Sequence, residues 1–205
     1  AALREELALG PCPSYHYLAM SGCTEVPGRN EVKELREMDE AFDALGFKEC
    51  KHDIYRLCAA ILHLGNVTFV QGNQGVDSSS IAEGSKAALS AAARLFGCTD
   101  DSLRMAITFR TASFGKGSAI HIPLTMEAAA DMRDAVCKAV FDRLFDFLVL
   151  TCNHSLFKGD GDMHIGLLDI FGHVPQHSNR SRCILVIYPL NVTPNTHDEA
   201  IIPLP

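Results

Sequence analysis

Apolar residues recur at every fourth position in the second half of the chain, within a stretch that contains neither proline nor glycine. The repeat is formed by Met132, Val136, Val140, Leu144 and Leu148. This step predicts a helix from Met126 to Val149, with Thr125 as its N-terminal cap. Further apolar side chains widen the stripe at Ala139, Phe141, Phe145 and Phe147. We therefore expect burial on more than one side, and ion pairs of Lys138 with Asp134 and Asp142 on the solvated edge.

A nearly continuous apolar run follows from Ile165 to Phe171, which is the pattern of a strand that is covered on both faces of a sheet. Asp169 lies near the end of this run, and Gly172 follows it. A carboxylate beside Mg²⁺ and a bare backbone amide beside a phosphate oxygen would suit a nucleotide site. The alternative is that Asp169 caps a turn that Gly172 permits, and the spacing alone favours this second interpretation.

Shorter amphipathic patterns earlier in the chain predict four more helices. They span residues 31–45, 52–64 and 85–96, and the fourth begins after residue 99. Asn30 and Thr99 are suitable N-terminal caps for the first and the fourth. The glycines that can end the first three are Gly46, Gly65 and Gly97.

The apolar positions of these helices predict which sides face the core. The inward face of the first helix consists of Val32, Leu35, Met38, Phe42 and Leu45. In the fourth helix, the inward residues are Leu103, Ala106 and Ile107. His63 lies in the apolar part of the second helix, so we expect a hydrogen-bonded core histidine rather than a metal ligand.

Short β segments are predicted at two places. Val67–Val70 alternates as a strand and is followed by a polar loop over residues 71–80, and residues 110–122 form two strands around a Gly-Lys-Gly turn. This turn is not a Walker A loop, because Gly117 stands where a serine or threonine must directly follow the lysine. The cations Arg110, Lys116 and His121 could contact an acidic partner, although an ordinary solvated turn is the alternative.

Composition narrows the class of protein. The 205 residues carry a formal net charge of −7, which disfavours a general nucleic-acid or anionic-membrane binder. No apolar run is long enough to span a bilayer. The eight cysteines form no C-x-x-C pair and fall mostly in helical patterns, so reduced thiols in a cytoplasmic protein are expected.

Several separated segments resemble the myosin motor head in the right order. They are Tyr15-His-Tyr-Leu-Ala-Met-Ser-Gly-Cys23, Ala59-Ala-Ile-Leu-His-Leu-Gly-Asn66, Arg133-Asp-Ala-Val-Cys-Lys-Ala-Val-Phe-Asp-Arg-Leu-Phe-Asp-Phe-Leu-Val149 and Ile165-Gly-Leu-Leu-Asp-Ile-Phe-Gly172. The resemblance covers residues 1–172 and leaves residues 173–205 as an unmatched Pro-rich tail. It implies a mainly α fold with short β elements, which is part of a P-loop NTPase motor head of the myosin/kinesin-like kind.

The resemblance implies that this chain is part of an actin-based, cytoskeleton-associated motor that uses Mg·ATP. In the complete head, Asp169 would lie beside the hydration shell of Mg²⁺, and the Gly172 amide would meet the γ-phosphate. The hairpin carrying Arg110, Lys116 and His121 would lie where myosin heads contact the actin filament. No nucleic-acid partner and no membrane span are expected.

The resemblance also makes Ser118 a candidate phosphorylation site. Sixteen residues before Asp134, myosin heads carry an acidic or phosphorylatable residue, and here that place is Ser118. A heavy-chain kinase would then be a partner, and the added charge would act on a loop that faces actin. The alternative is a serine that fills an ordinary turn.

The sequence departs from the myosin pattern after Gly172. His173 and Val174 replace the Phe and Glu of switch II, and neither a Walker A loop nor switch I is present. We therefore expect no ATPase activity from this chain alone. The alternative functions are a non-catalytic actin-binding fragment and a structural helical fragment.

Our hypothesis is that the tail from His173 is an alternative or wrongly assigned end of the chain, such as an intron read-through product. Its apolar cluster from Ile184 to Tyr188 is followed at once by Pro189, so we expect an edge strand at most. We also expect the strand over residues 164–171 to lack its neighbours in the sheet.

Overall fold

A computed structural model describes residues 2–73, 75, 77–113, 119–156, 163–168, 184–189 and 201–203. The chain divides into two compact units, Ala1–Leu156 and Phe157–Pro205. The first unit is mainly helical with two β-hairpins, and the second contains a small sheet.

The described part of the first unit contains seven α-helices. They are α1 (Ala2–Glu6), α2 (His16–Ala19), α3 (Glu31–Ala44), α4 (Lys51–Gly65), α5 (Lys86–Phe96), α6 (Asp100–Thr108) and α7 (Met126–Leu156). Short 3₁₀ turns span Cys12–Ser14 and Glu83–Ser85. Among the described residues, no helix combines the length and the apolar composition that a bilayer crossing requires.

The longest helix, α7, confirms the predicted start and corrects the predicted burial. The amide of Ala128 donates to the Thr125 hydroxyl at 3.2 Å, so Thr125 is the cap. The helix has 31 residues and continues past Val149 to Leu156. Its buried side chains occupy one face, at Ala129, Arg133, Cys137 and Leu144. The prediction of burial on more than one side is wrong, because Phe141 and Phe145 are 55% and 57% exposed.

The predicted caps are confirmed, and one glycine has a different role. Asn30 accepts from the Lys33 amide and Thr99 from the Ser102 amide. Gly46 and Gly97 have positive φ angles and end α3 and α5 as expected. Gly65, in contrast, is the last helical residue of α4, and a Cβ there would lie 2.4 Å from the Tyr17 ring. A close approach, rather than a left-handed stop, therefore requires this glycine.

The inward face predicted for α3 is only partly buried. Phe42 and Leu45 pack against the cluster around Phe47, whereas Val32, Leu35 and Met38 are exposed. The reason is that α3 is held to the α4 region near its C-terminal end, where Tyr55 and Lys51 contact acidic residues of α3. The first half of the helix has no covering element among the described residues.

The main core lies between α4, α5, α6, α7 and the first hairpin. Its buried members are Leu64, Val67, Ile81, Leu89, Ala92, Ala93, Leu103, Ile107 and Cys137. Ile107 is fully buried, and burying a side chain of this size stabilises the fold by about 1.5–3 kcal/mol. Ala106 was predicted to point inward but is exposed, because the neighbouring Ile107 and Thr108 occupy the buried side of α6.

Two antiparallel hairpins belong to the first unit. The first joins β1 (Phe69–Gln71) to β2 (Ser79–Ile81), so the polar loop predicted over residues 71–80 contains strand residues at its end. Ser79 and Ile81 face the interior on β2, which explains why a serine-rich segment pairs as a strand. The second hairpin joins β3 (Phe109–Ser113) to β4 (Ala119–Pro123), as the sequence predicts.

The second unit contains a three-stranded antiparallel sheet. Its strands are β5 (Met163–Leu168), β6 (Ile184–Pro189) and β7 (Ile201–Pro203), and β6 lies between the other two. The prediction that the apolar cluster of the tail is an edge strand is wrong, as is the expectation that the strand near residue 164 lacks neighbours. Pro189 is compatible with the central position because it is the last residue of β6, where one missing amide interrupts the ladder least.

Candidate functional site

The β3–β4 hairpin carries two of the basic residues predicted from the sequence, Arg110 and His121, within the described residues. Its register pairs Arg110 with Ile122 and Thr111 with His121. The Thr111 hydroxyl and His121 Nδ1 lie 3.3 Å apart, which places these two side chains on one face of the ribbon. Because side chains alternate along a strand, Arg110 lies on the opposite face. The structure therefore brings Arg110 and His121 to the same exposed ribbon but does not make them converge.

The base of this hairpin is fixed to the helical body. The Leu124 amide donates to the Thr108 carbonyl at 2.9 Å, and the Thr108 hydroxyl donates to the Arg104 carbonyl at 2.8 Å. Thr108 and Leu124 are both buried. These bonds join the start of β3 and the end of β4 to α6, so the hairpin projects from a defined anchor.

A small polar cavity of about 210 Å³ lies beside the hairpin base. It is lined by the β1–β2 hairpin at Gly72, Asn73 and Ser78–Ser80, and by Arg104, Phe109 and Pro123. The turn end of the first hairpin therefore lies beside the base of the second hairpin. Ser79 is 8% exposed, and its hydroxyl has no hydrogen-bond partner among the described residues.

Four predicted site residues lie outside the described residues: Lys116, Ser118, Asp169 and Gly172. Their assignments as actin-contact, phosphorylation and nucleotide residues stay predictions. One carboxylate and one backbone amide also do not supply the donors that Mg·ATP requires, since a phosphate-binding loop with its lysine and hydroxyl is lacking. That this chain does not bind Mg·ATP tightly on its own therefore stays a prediction. In the described ranges, no group of three His, Cys, Asp or Glu side chains could hold a metal ion.

A partly buried polar network, which the sequence did not predict, links distant parts of the chain. The Tyr17 hydroxyl donates to Asp134 Oδ1 at 2.5 Å, across a separation of 117 positions. Arg133 Nε donates to the same oxygen at 2.8 Å, and Arg133 Nη1 donates to the Val67 carbonyl at 2.8 Å. The network thus joins α2, α7 and the segment that precedes β1. The predicted pairs of Lys138 with Asp134 and Asp142 are both absent from this described region, because Asp134 points at Tyr17 and Arg133 instead.

Burial and charge set the protonation of this network. Burial raises the pKa of Tyr17 far above its ordinary value, and the hydrogen bond to Asp134 raises it further. Burial alone would also raise the pKa of Asp134, but the hydrogen bonds from Arg133 and Tyr17 outweigh it and hold that pKa below its usual value. The site is therefore a neutral tyrosine, a carboxylate and a guanidinium over a wide pH range, and its role is to hold elements together.

The predicted core histidine is confirmed nearby, in contact with a buried tyrosine. His63 is buried and its Nε2 lies 3.0 Å from the Leu7 carbonyl, as expected of a hydrogen-bonded core histidine. Its ring meets Tyr15 edge to face. Tyr15 is 4% exposed, and its hydroxyl accepts from the Gly10 amide at 2.9 Å. These contacts fix the turn-rich N-terminal segment onto α4.

Comparison with known proteins points to one family. The model of the myosin head (motor domain) matches residues 1–187. Myosin IE heavy chain of Dictyostelium discoideum is 36% identical over 174 residues, which are 82% of this chain and 17% of that protein. Myosin-14 of Arabidopsis thaliana is 38% identical over 160 residues, which are 77% of this chain and 10% of that protein. Unconventional myosin-XV of Homo sapiens is 33% identical over 174 residues, which are 84% of this chain and 5% of that protein. The chain thus spans a small part of the length of these relatives.

Proposed function

Because this chain belongs to the myosin head (motor domain) family, we propose that it works as a segment of an actin-based motor. The observation that carries the proposal is the family match over residues 1–187 together with an exposed, well-anchored hairpin at residues 109–123. In this proposal the hairpin contacts the actin filament, and the strand that precedes Asp169 leads to the nucleotide site of a complete head.

The hairpin is suited to a filament contact for two physical reasons. Its base is fixed to α6 by buried hydrogen bonds, so a contact at the exposed ribbon would transmit force to the body. Arg110 carries a positive charge on one face, and acidic partners attract such a charge over about 8–10 Å at physiological ionic strength. Lys116 and Ser118 belong to the connection between β3 and β4 in the sequence, where a further charge or a phosphate would modulate the contact.

The chain contains two residues of a nucleotide site but not the site itself. In a complete head, Asp169 would lie near Mg²⁺ and the Gly172 amide near the γ-phosphate. Without a phosphate-binding loop, the affinity for Mg·ATP is expected to be too low for turnover. The expected activity of the isolated chain is therefore a filament contact without ATP hydrolysis.

Steady-state phosphate release tests the absence of turnover. The purified chain and Asp169→Ala are compared in Mg·ATP with and without filamentous actin, and both are expected to give the rate of buffer. Turnover by the unsubstituted chain above that of Asp169→Ala would show a working site and overturn this part of the proposal.

Actin cosedimentation tests the filament contact. Arg110→Ala is expected to weaken binding, and Lys86→Ala is the matched control, because it removes the same charge from an exposed position on α5. Binding should also weaken as salt is raised, since the contact is electrostatic. Failure to cosediment at low salt, or equal binding by the two variants, would contradict the assignment of this hairpin.

Phosphorylation of Ser118 is tested separately, with a protein kinase. Incubation with a kinase that acts on myosin heavy chains is expected to label the chain but not Ser118→Ala, and Ser118→Glu should change actin binding. Equal labelling of Ser118→Ala would remove Ser118 from the proposal and leave the hairpin contact as it stands.

The second candidate function is a structural helical segment with no filament contact. It is favoured by the partly buried Tyr17–Asp134–Arg133 network, which stabilises the first unit whatever that unit binds. A chain that unfolds cooperatively but never cosediments with actin would support this alternative.

A further inference from the structure

The strand β5 is completed into a sheet by residues that follow it in the same chain. All six residues of β5 have a partner on β6 in an antiparallel ladder, from Met163 opposite Pro189 to Leu168 opposite Ile184. The strand β7 then pairs with the other edge of β6. We propose that the segment Ile184–Pro189 is an internal strand donor, which occupies one edge of β5 and prevents that edge from pairing with a strand of another polypeptide.

The first argument is that β5 needs a neighbouring strand. The backbone N–H and C=O groups of a strand find their partners in the strand beside it, and three or more strands are usually needed for a sheet that is stable by itself. Gly166 weakens β5 further, because glycine loses more conformational freedom on folding than any other residue. Within the described ranges, β6 is the one strand that pairs with β5. The ladder with β6 therefore supplies the pairing that β5 requires.

The second argument is the composition of the donor strand. Ile184, Val186, Ile187 and Tyr188 belong to the β-branched and aromatic types that are enriched in strands. Val186 lies directly opposite Gly166 in the register. The position of β5 that contributes least to a strand is thus paired with a residue that favours one.

The third argument is that the donor strand is itself covered on its second edge. β7 has three residues, and one of them, Pro203, has no amide hydrogen to donate. Short edge strands and edge prolines are two means by which proteins keep strands of other chains from adding to a sheet. Since β6 lies between β5 and β7, neither of its edges is left to recruit a strand from elsewhere among the described residues.

The consequence is a competition for one edge of β5. While β6 is paired there, a strand from another polypeptide cannot add to the same edge by β-strand addition. The strand that precedes Asp169 is therefore closed on this edge unless β6 leaves it. This role of the tail requires neither a filament contact nor a nucleotide site, so it goes beyond the proposed function.

Hydrogen exchange of the whole chain, resolved to single amides by NMR, tests the occupied edge. Successive amides of a strand point to opposite edges, so pairing with β6 should protect every second amide of β5. Val186→Pro should lower this protection at least tenfold, because proline in the middle of a strand removes a ladder hydrogen bond. Ile201→Pro is the matched control and should lower it much less, since β7 does not pair with β5.

The same spectra contain an internal control. Amides of α7 should keep their protection in both variants, which shows that the first unit remains folded. Fast exchange of all six β5 amides in the unsubstituted chain, or an equal loss of their protection in the two variants, would overturn the proposal.

Paired cysteines test whether the donor strand comes from the same chain. Ile165 and Ile187 lie directly opposite each other, and opposite Cα atoms of antiparallel strands are about 4.5–5.5 Å apart, within reach of a disulfide. Ile165→Cys/Ile187→Cys should therefore form a disulfide within one chain in oxidised glutathione, identified by mass spectrometry of the linked peptides. Ile165→Cys/Val186→Cys is the matched control, because successive positions of a strand alternate between the two faces of a sheet.

Two results of the cysteine experiment would overturn the proposal. A disulfide between two chains would show that the donor strand is exchanged, and equal yields in the two variants would show that the register is not kept. Neither experiment measures actin binding or ATP hydrolysis, so this inference stands or falls apart from the proposed function.

Discussion

The two halves of α7 have the same apolar periodicity and very different surroundings. In the N-terminal half, Arg133 and Asp134 are tied to α2 and to the Val67 carbonyl, and Cys137 is buried in the main core. In the C-terminal half, Leu144 is buried beside Phe47, but Phe141 and Phe145 remain exposed. An apolar stripe therefore predicts which side of a helix can be buried. Whether another element covers that side depends on parts of the protein that are distant in the sequence.

The largest expected effect is at Arg133, in the enclosed half of α7. Arg133→Ala leaves the Val67 carbonyl without its partner inside the fold and removes one of the two hydrogen bonds to the partly exposed Asp134 carboxylate, and each of these losses costs about 1–3 kcal/mol. Arg143→Ala is the control, because Arg143 is on the same helix with its side chain 88% exposed, and it should change stability by about 0.5 kcal/mol or less. Urea unfolding followed by circular dichroism measures both. An equal loss of unfolding free energy in the two variants would contradict the proposed difference between the enclosed and the exposed positions of α7.

A pair of apolar truncations compares the buried and exposed sides of the C-terminal half. Leu144→Ala should cost about 2–5 kcal/mol, because Leu144 is 6% exposed and its loss opens a cavity. Phe145→Ala removes a larger side chain from the next position, yet it should cost about 0.5 kcal/mol or less at concentrations where the chain is monomeric. If Phe145→Ala proved as destabilising as Leu144→Ala, the exposed face would have to be covered within the monomer.

Gly65 tests how tightly the enclosed region is packed. Gly65→Ala would place a methyl group against the Tyr17 ring, and such overpacking costs about 1–3 kcal/mol. Gly84→Ala is the matched control, since a Cβ there meets nothing within 4 Å. A neutral Gly65→Ala variant would show that Tyr17 can move away without loss.

The smallest expected effect is the acid dependence of the Tyr17–Asp134 contact. The folded-state pKa of Asp134 is lowered, so its carboxylate stabilises the fold fully above its unfolded pKa of about 3.9. This stabilisation is lost as the pH falls through the lower, folded-state pKa. Asp134→Asn should therefore be less stable than the unsubstituted chain at pH 7 and should lose less stability on acidification. If the unfolding free energies of the two proteins changed in parallel between neutral and acidic pH, Asp134 would not have this role.

The sequence correctly predicted those features that depend on residues only a few positions apart. Thr125, Asn30 and Thr99 were identified as caps, since the hydroxyl or amide that caps a helix bonds an amide two or three residues away. The left-handed Gly97 and the β3–β4 hairpin were found for the same reason.

The incorrect predictions concern features that are determined by contacts between residues distant in the sequence. Asp134 was assigned to a solvated edge by its spacing from Lys138, but its partner Tyr17 is 117 positions away. Gly65 was interpreted as a helix stop because its close contact with the same tyrosine leaves no local signature. The inward face of α3 was overestimated for a similar reason, since periodicity cannot show whether another element is present to cover Val32 and Leu35.

The candidate site was predictable only in part. The sequence identified the exposed ribbon that carries Arg110 and His121, but only the register of the hairpin places these side chains on opposite faces. The roles of Asp169, Gly172, Lys116 and Ser118 come from the resemblance to myosin and remain predictions. No pattern in the sequence indicated the partly buried Tyr17–Asp134–Arg133 network, because its members are ordinary residue types in ordinary helical positions.

Hydrogen exchange along α7, measured on dilute protein, tests most directly the claim that this helix is anchored at Arg133 and is held beyond Leu144 only by partly buried side chains such as Leu148 and Cys152. Amides from Ala129 to Cys137 should exchange only when the whole unit unfolds, whereas those from Val149 to Leu156 should exchange much faster, because few buried contacts hold that end. Equal protection along the whole helix, or faster exchange around Arg133 than around Val149, would contradict the account.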